Sequence, residues 1–531
     1  MRIEVSEGSS LKNHGARGSQ QRPTAKRERH VLEDILARPL VGKLLRWMTS
    51  TNGGPDCLFE RLCRNYNNPA LGARERWKWR LPAFLIDLGL RKAGLDKQRM
   101  TEKVFHHQPT VRALALAGRS IARYGLHAPQ RFAAPLMVVW NLTQACNLRC
   151  RHCYQCATPR PAPDELTLEE RLRVVDQMGA AGVPFLAIAG GEPLVSKDLW
   201  PILERARRRG IHVSLATNGT LLTKDVVERL IDAGVKYVEV SIDSLVPEEH
   251  DRFRGQRGAW SRSIQGIRNC VAAGMRTGLA TCFTRDTVDR ADEAVEFAIS
   301  LGCRTFSHFN FIPVGRGREM VEADLTPSQR ERLLRKLVAH LQEGRINVIS
   351  TAPQFGRACV AYAPPEGIFA TGHAGAGKGS KTMVLARYVG GCGAGRCYCA
   401  IQPNGDVTPC VYIPSLRIGN LRKQAFEQIW ECELFRLLSD REDRRYHCGV
   451  CGDRAYCGGC RARALAYTSD IRAGDPGCQR NEDQWNALVS PARNDQGGFH
   501  REDVKPGRQD RKGTLNELSG AEDRHLPSAS V

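Results

Sequence analysis

Three cysteines, Cys146, Cys150 and Cys153, stand in the run Trp140-Asn141-Leu142-Thr143-Gln144-Ala145-Cys146-Asn147-Leu148-Arg149-Cys150-Arg151-His152-Cys153-Tyr154, at C-x3-C-x2-C spacing. Three thiolates on one short loop can ligate three irons of a [4Fe–4S] cube and leave the fourth iron open, whereas most iron–sulfur carriers use four cysteines. An open iron can bind a substrate or cofactor directly. The same residues also allow a zinc site, with His152 or Cys156 as the fourth ligand that zinc requires. A second constellation lies towards the C-terminus: Cys392-x4-Cys397-x12-Cys410, then Cys448-x2-Cys451-x5-Cys457-x2-Cys460, then Cys478.

The elements that must position these thiols follow a change of rhythm along the chain. From Leu136, short apolar strands alternate with helices. Strands are expected at 136–142, 185–189, 212–216, 237–242, 278–283 and 305–312, with helices at 168–180, 199–209, 224–233, 260–273, 291–301 and 326–343. Six strand–helix units imply a parallel sheet, either open and doubly wound or a partial (β/α) barrel. In both architectures sites form at the C-terminal ends of strands, where the first strand delivers the cysteine loop. Before this lies a helical region, 31–131, with Ile35, Leu36, Leu40, Val41, Leu44 and Leu45 at near-helical spacing. Residues 1–30 and 490–531 are polar and read as disordered. The boundaries expected are 1–30, 31–131, a core at 132–350, a Gly-, Ala- and Pro-rich linker at 351–391, and a cysteine-rich domain at 392–489.

Composition limits the possibilities. A chain of 531 residues with 42% apolar content can bury a large core in more than one domain. It has no run of about 18 apolar residues that would span a membrane. The N-terminus lacks the apolar stretch of a secretory signal, so a cytoplasmic protein is expected. Twenty cysteines in a reducing compartment point to metal binding rather than disulfides. The net charge of +21 is uneven, since residues 1–131 hold 25 Lys/Arg against 11 Asp/Glu. Trp47, Trp77 and Trp79 sit there among Arg46, Arg74, Arg76, Lys78 and Arg80. That mixture suits an anionic membrane surface, or else tryptophans packed against the barrel with arginines in water. Nucleic acid is a further possible partner for so basic a region.

Each remaining motif closes a strand. Gly190-Gly191-Glu192-Pro193 follows the second, where glycines allow close backbone approach and Glu192 could meet an ammonium group. Thr217-Asn218-Gly219 follows the third and Ser241-Ile242-Asp243-Ser244 the fourth. Pro313-Val314-Gly315-Arg316-Gly317 follows the last. In this order, over about 132–320, the motifs resemble the radical S-adenosylmethionine (radical SAM) superfamily. The resemblance implies a partial (β/α)6 TIM-like barrel, a [4Fe–4S] cluster on Cys146, Cys150 and Cys153, and SAM chelated to its open iron and split to a 5′-deoxyadenosyl radical. It also implies SAM contacts from Tyr154, Gly190, Gly191, Glu192, Asn218, Ser241, Asp243 and Arg316, and a low-potential electron donor such as flavodoxin or ferredoxin.

The C-terminal constellation, with the hairpin turn Asn404-Gly405, resembles the SPASM extension that holds two auxiliary [4Fe–4S] clusters. Carried over by position, Cys392, Cys397, Cys410 and Cys460 hold one, and Cys448, Cys451, Cys457 and Cys478 the other. Two departures stand out: the last pair is C-x2-C rather than C-x3-C, and Cys399 competes with Cys397. A zinc ribbon of Cys448, Cys451, Cys457 and Cys460 is the alternative. The stretch 372–379 nearly matches a phosphate loop but ends in Gly379, without the hydroxyl that holds Mg²⁺.

The substrate is less legible. Val411 follows Cys410 where sulfatase-maturing relatives place an acid, and 31–131 does not read as a leader-peptide module. The run 457–464 with Asp475-Pro476-Gly477-Cys478 resembles enzymes of haem d1 and alternative haem synthesis, which act on tetrapyrrole side chains. The expectation is therefore a radical SAM/SPASM enzyme acting on a small molecule. The alternatives are a peptide maturase, an RNA-modifying enzyme and a non-catalytic electron carrier.

Overall fold

The computed structural model describes residues 34–489 except 35, 37, 51–55, 67, 69, 93, 95 and 371–374. The two terminal stretches expected to be disordered therefore lie outside the described residues.

The parallel strands are β1 (Met137–Asn141), β2 (Phe185–Ala189), β3 (His212–Thr217), β4 (Tyr237–Ser241), β5 (Thr277–Cys282) and β6 (Thr305–Phe309). They match the six expected strands closely. Their inward residues, among them Val138, Trp140, Leu186, Ile188, Leu215, Val240, Leu279 and Phe306, join one continuous core. Two of the helices between them, Leu168–Ala181 and Lys224–Asp232, begin at a capping threonine. In Leu168–Ala181, for example, the Thr167 hydroxyl accepts from the Glu170 N–H, and Gly182 ends the helix in the left-handed region.

The sheet extends beyond six strands. β7 (Asn347–Ser350) pairs parallel with β6. A small separate hairpin follows, β8 (Ile368–Ala370) with β9 (Ala376–Lys378). The cysteine-rich region then supplies β10 (Tyr398–Ile401), which pairs parallel with β1, and β11 (Asp406–Thr408) and β12 (Gly419–Asn420), which continue antiparallel. The resulting ten-stranded order is β12-β11-β10-β1-β2-β3-β4-β5-β6-β7. Sequence pattern could not reveal that β10 covers the free edge of β1. Their contact, seen again in the Asn141 Nδ2 to Gln402 Oε1 hydrogen bond, joins residues 261 apart in the chain.

Other differences concern the connections. The stretch 351–391 is more than a linker: it folds as helix Gln354–Tyr362, the β8–β9 hairpin and helix Ser380–Val389. Lys378 of the near-match phosphate loop is paired with Ile368 in that hairpin. Residues 371–374 of it lie outside the described set. Towards the N-terminus, helices Pro39–Thr49, Leu58–Asn65, Ala73–Lys92 and Gln108–Tyr124 carry no strand among the described residues. Trp47 and Trp77 are 63% and 73% exposed, so they do not pack against the barrel as one reading supposed.

A buried ionic network binds the cysteine-rich region to the barrel. Arg463, fully buried, donates through Nη2 to Asn310 Oδ1 (2.6 Å) and to the Phe311 carbonyl (2.7 Å). Its Nε lies 3.3 Å from Asp324 Oδ2, and its Nη1 lies 3.6 Å from Asp475 Oδ1. Asp324 also accepts from Arg330 and from the Tyr467 hydroxyl. Removing one partner of such a set leaves an uncompensated charge in the core. Arg463→Met should therefore lower unfolding stability by about 3–5 kcal/mol in urea titration of the full chain. Lys at this position should recover part of the loss.

Candidate iron–sulfur sites

The loop between β1 and helix Leu168–Ala181 has little regular structure of its own, and its neighbours shape it. The Gly191 N–H donates to the Thr143 carbonyl (2.7 Å) and the Glu192 N–H to the Ala145 carbonyl (2.8 Å). A Cβ on Gly190 would lie 2.7 Å from the Thr143 oxygen, and one on Gly191 would collide with the Ala145 carbonyl. The glycines are needed because the chain's own backbone occupies that space. On another side, the Arg149 and Arg151 N–H groups donate to the carbonyls of Arg254 and Phe253 at the end of helix Pro247–Arg254. On a third, Gly315 (φ +58°) abuts the carbonyls of Cys153 and Tyr154. Arg316 donates to the carbonyls of Cys150 (Nε, 2.8 Å) and Ala157 (Nη1, 2.9 Å).

So held, the three thiols share a patch with Leu148 and Ala259. Burial pushes the Cys146 thiol up to about 12. Such thiols give up their protons only to a compensating cation or metal. A single tetrahedral zinc would draw its sulfurs to within about 4 Å of one another, given zinc–sulfur bonds near 2.3 Å. Among the described residues only Glu296, His340 and Glu343 bring three such donor atoms within 4.8 Å of one another. No three of the described cysteine sulfurs lie that close together, a spacing with room for several irons.

Glu192 is fully buried. Its Oε1 accepts from Thr217 Oγ1 (2.7 Å) and the Leu194 N–H (3.2 Å), and its Oε2 from the Asn218 N–H (2.8 Å). Burial nevertheless holds its pKa above the ordinary range against these donors. The site would welcome a positive charge. Asn218 Nδ2 reaches Asn147 of the cysteine loop (2.8 Å). Tyr154 donates to Asn141 Oδ1 (3.0 Å) and packs edge-on against Tyr412, with ring centroids 5.1 Å apart. Ser241 ends β4, and a small pocket beside it is lined by Asp243, Ser244, Phe283 and Arg290, among others.

Sequence reasoning missed Arg254. Its Nη2 lies 2.6 Å from Asp243 Oδ2, and its Nη1 donates to the Cys150 sulfur (3.7 Å). Burial alone would raise the Asp243 pKa, but Arg254 brings it below the usual carboxylate range. Also missed were Phe253, stacked on His152 at 4.6 Å, and Glu165, which accepts from Thr143 Oγ1 and the Gln144 N–H. No spacing rule could have found them, because their partners lie elsewhere in the chain.

The second constellation divides in two. Cys448, Cys451, Cys457 and Cys478 line one small cavity with Arg357, Asn481 and the Gly458-Gly459 turn. Burial raises the Cys410 thiol, and the neighbouring Cys392 and Cys460 raise it further. The Cys397 sulfur sits beside Gly393. Cys399 is wholly buried in the main core, with Cys432 as the thiol it feels. Cys460 does not line the Cys448 cavity.

Comparison with known proteins agrees with this layout. The radical SAM superfamily model matches residues 140–317, and the SPASM iron–sulfur cluster-binding domain model matches 392–460. An AdoMet-dependent heme synthase of Methanosarcina barkeri is 37% identical over 347 residues, 65% of this chain and 96% of that protein. A mycofactocin maturase of Mycobacterium tuberculosis is 31% identical over 65% of this chain and 83% of its own length. Among solved structures, Streptococcus suis SuiB bound to its precursor peptide SuiA superposes with a TM-score of 0.57 at 18% identity, over 80% of this chain and 93% of that one.

Two measurements test the ligand sets. Anaerobically purified protein should hold about twelve irons, and replacing Cys448, Cys451, Cys457 and Cys478 with Ala should remove about four. One zinc and a shortfall in iron would instead favour the ribbon. Arg254→Gln removes a donor to the Cys150 sulfur and strands the Asp243 charge. The midpoint potential of the cluster on that loop should become more negative in an EPR-monitored redox titration.

Proposed function

From the chain's membership of the radical SAM superfamily, with a SPASM domain, we propose an enzyme that acts on side chains of a tetrapyrrole. Membership makes it an enzyme whose cofactors are a [4Fe–4S] cluster and SAM, with auxiliary clusters in the SPASM domain. The observation that carries the substrate reading is the similarity to a heme synthase across 96% of that protein. The run 457–464 with Asp475 and Cys478 adds to it.

Cys146, Cys150 and Cys153 would hold the SAM-binding cluster, and the two C-terminal sets, with Cys397 rather than Cys399, the auxiliary ones. Together, cluster and SAM supply a radical able to take hydrogen from an unactivated carbon. The chain's own work is placement. The buried carboxylate of Glu192 would face the ammonium group of SAM, where its shortage of positive charge is met. Gly190, Gly191, Asn218, Ser241 and Asp243 would complete the cradle. Arg316, hydrogen-bonded to two loop carbonyls, would act by fixing the cysteine loop. Tyr154 and Tyr412 fill the space between the first cysteine loop and Cys410 and keep water from it.

A second reading, a peptide maturase, is favoured by the similarity to a mycofactocin maturase. One experiment separates them. Reconstituted protein is incubated anaerobically with SAM and dithionite, and with either a propionate-bearing iron tetrapyrrole or a candidate peptide. The tetrapyrrole should raise 5′-deoxyadenosine formation above the substrate-free rate and itself change in mass. Stimulation by the peptide alone would transfer the assignment. The Cys146, Cys150 and Cys153 triple Ala variant should form no 5′-deoxyadenosine with either.

A further inference from the structure

The helix Ala73–Lys92 is apolar on two opposite faces. One face, with Ala83, Ile86 and Leu90, packs into the small N-terminal core of Cys63, Tyr66, Phe105 and Val111. The opposite face carries Trp77, Leu81, Phe84, Leu85 and Leu88 at spacings i, i+4, i+7, i+8 and i+11. These side chains are 73%, 67%, 62%, 57% and 41% exposed. A surface helix normally turns a polar face to water, and a helix apolar all round needs a second apolar phase. The helix Pro39–Thr49 repeats the pattern, with Leu40, Leu44 and Trp47 exposed at i, i+4 and i+7.

Cations border the long stripe. Arg74, Arg76, Lys78, Arg80 and Arg91 are all exposed. Among the described residues, Arg74, Arg76 and Arg80 have no carboxylate within ion-pair distance. The helix's two acids are already engaged, Glu75 with Lys78 (2.6 Å) and Asp87 with Lys97 (2.8 Å) and Tyr66. The charge around the apolar stripe is therefore positive, as is the net charge of residues 1–131. No described helix is long and apolar enough to cross a membrane, so burial of the stripe in a bilayer would be peripheral.

We infer that this face of the helix Ala73–Lys92 docks on an anionic phospholipid surface, with Trp77, Leu81, Phe84, Leu85 and Leu88 entering the interface and the bordering arginines meeting lipid phosphates. Both halves of the recognition are in the one helix: an apolar stripe about three turns long with aromatic residues, and a cationic rim. An acidic protein would satisfy the rim but leave the stripe without an apolar partner. A second copy of the chain would satisfy the stripe but bring like charges together. An anionic bilayer satisfies both.

The full chain should co-sediment with phosphatidylcholine vesicles containing phosphatidylserine about tenfold or more over pure phosphatidylcholine, and raised salt should release it. Trp emission should shift to the blue on binding. Combined Trp77→Ser, Leu81→Ser and Leu85→Ser should abolish binding, and Arg74→Glu with Arg80→Glu should reduce it. Both variants alter exposed side chains only, so iron content and thermal midpoint should stay at wild-type values. Absence of wild-type binding to anionic vesicles overturns the proposal. So do equal binding to both vesicle types, binding that both variants retain, and a stripe-dependent dimer that ignores lipid.

Discussion

The cysteine loop makes few backbone hydrogen bonds of its own: the Cys146 N–H donates to the Thr158 carbonyl, the Thr158 N–H to the Gln144 carbonyl, and the Cys153 and Cys156 N–H groups close two short turns on Cys150 and Cys153. Much of what holds the three sulfurs is imposed from outside, by backbone groups at the ends of β2, helix Pro247–Arg254 and the turn after β6, with the Arg316 and Glu165 side chains beside them. A backbone clamp is insensitive to side-chain rotamers, which suits a site that must hold several ligands at fixed separation. It also explains why the motifs are glycine-rich. Two chain segments can approach to hydrogen-bonding distance on these faces only where no Cβ intervenes. Gly190, Gly191 and Gly315 hold the scaffold first, and any ligand approach they allow comes after that.

The same logic governs the C-terminal sulfurs, with charge in place of backbone contact. Asp475 Oδ2 accepts from the Cys460 N–H (2.7 Å) and from Gln354 (2.6 Å), while its other oxygen faces Arg463. Arg463 reaches the end of β6 through Asn310 and Phe311, and Asp324 lies between Arg463 and Arg330. One ionic network thus fixes a sulfur-bearing turn, the last barrel strand and the long helix Pro327–Glu343 relative to one another. Buried ion pairs add little net stability but hold their members to one geometry, because any slip leaves a charge uncompensated. The short C-x2-C spacing at Cys457–Cys460 is compatible with this. Gly458 and Gly459 are both in the left-handed region and turn the chain sharply enough to send the two sulfurs to different sites.

Much of this was legible in advance because it is local. Strand and helix positions follow from apolar period, and the cysteine sets follow from spacing. What escaped was pairing at a distance. The seventh and eighth parallel strands are four residues each. Nothing within Asn347–Ser350 or Tyr398–Ile401 announces the neighbour it will meet. Arg254 and Arg463 look like ordinary helix-surface arginines until their carboxylate partners are seen. The stretch 351–391 read as loop because its glycines and prolines outweigh short helices that only tertiary packing stabilises. The N-terminal helices were the reverse case. Their apolar period was plain, but which of two apolar faces turned inward was not.

Three arginines beside the sulfurs share one arrangement. Arg254 donates to Cys150 and is paired with Asp243. Arg480 donates to the Cys451 sulfur (2.9 Å) and is paired with Asp453 (2.8 Å). Arg357 lines the cavity of the Cys448 set and is paired with Glu331. An isolated guanidinium buried beside neutral thiols would destabilise the chain before any cluster arrived. Thiolates without a donor would in turn be poorly solvated once it had. An arginine already balanced by a carboxylate avoids both difficulties. It adds no net charge to the folded protein and still offers N–H groups to sulfur. At the Cys150 loop and the Cys448 set the chain can therefore fold first, and what binds there meets hydrogen-bond donors whose direction the carboxylate has already set.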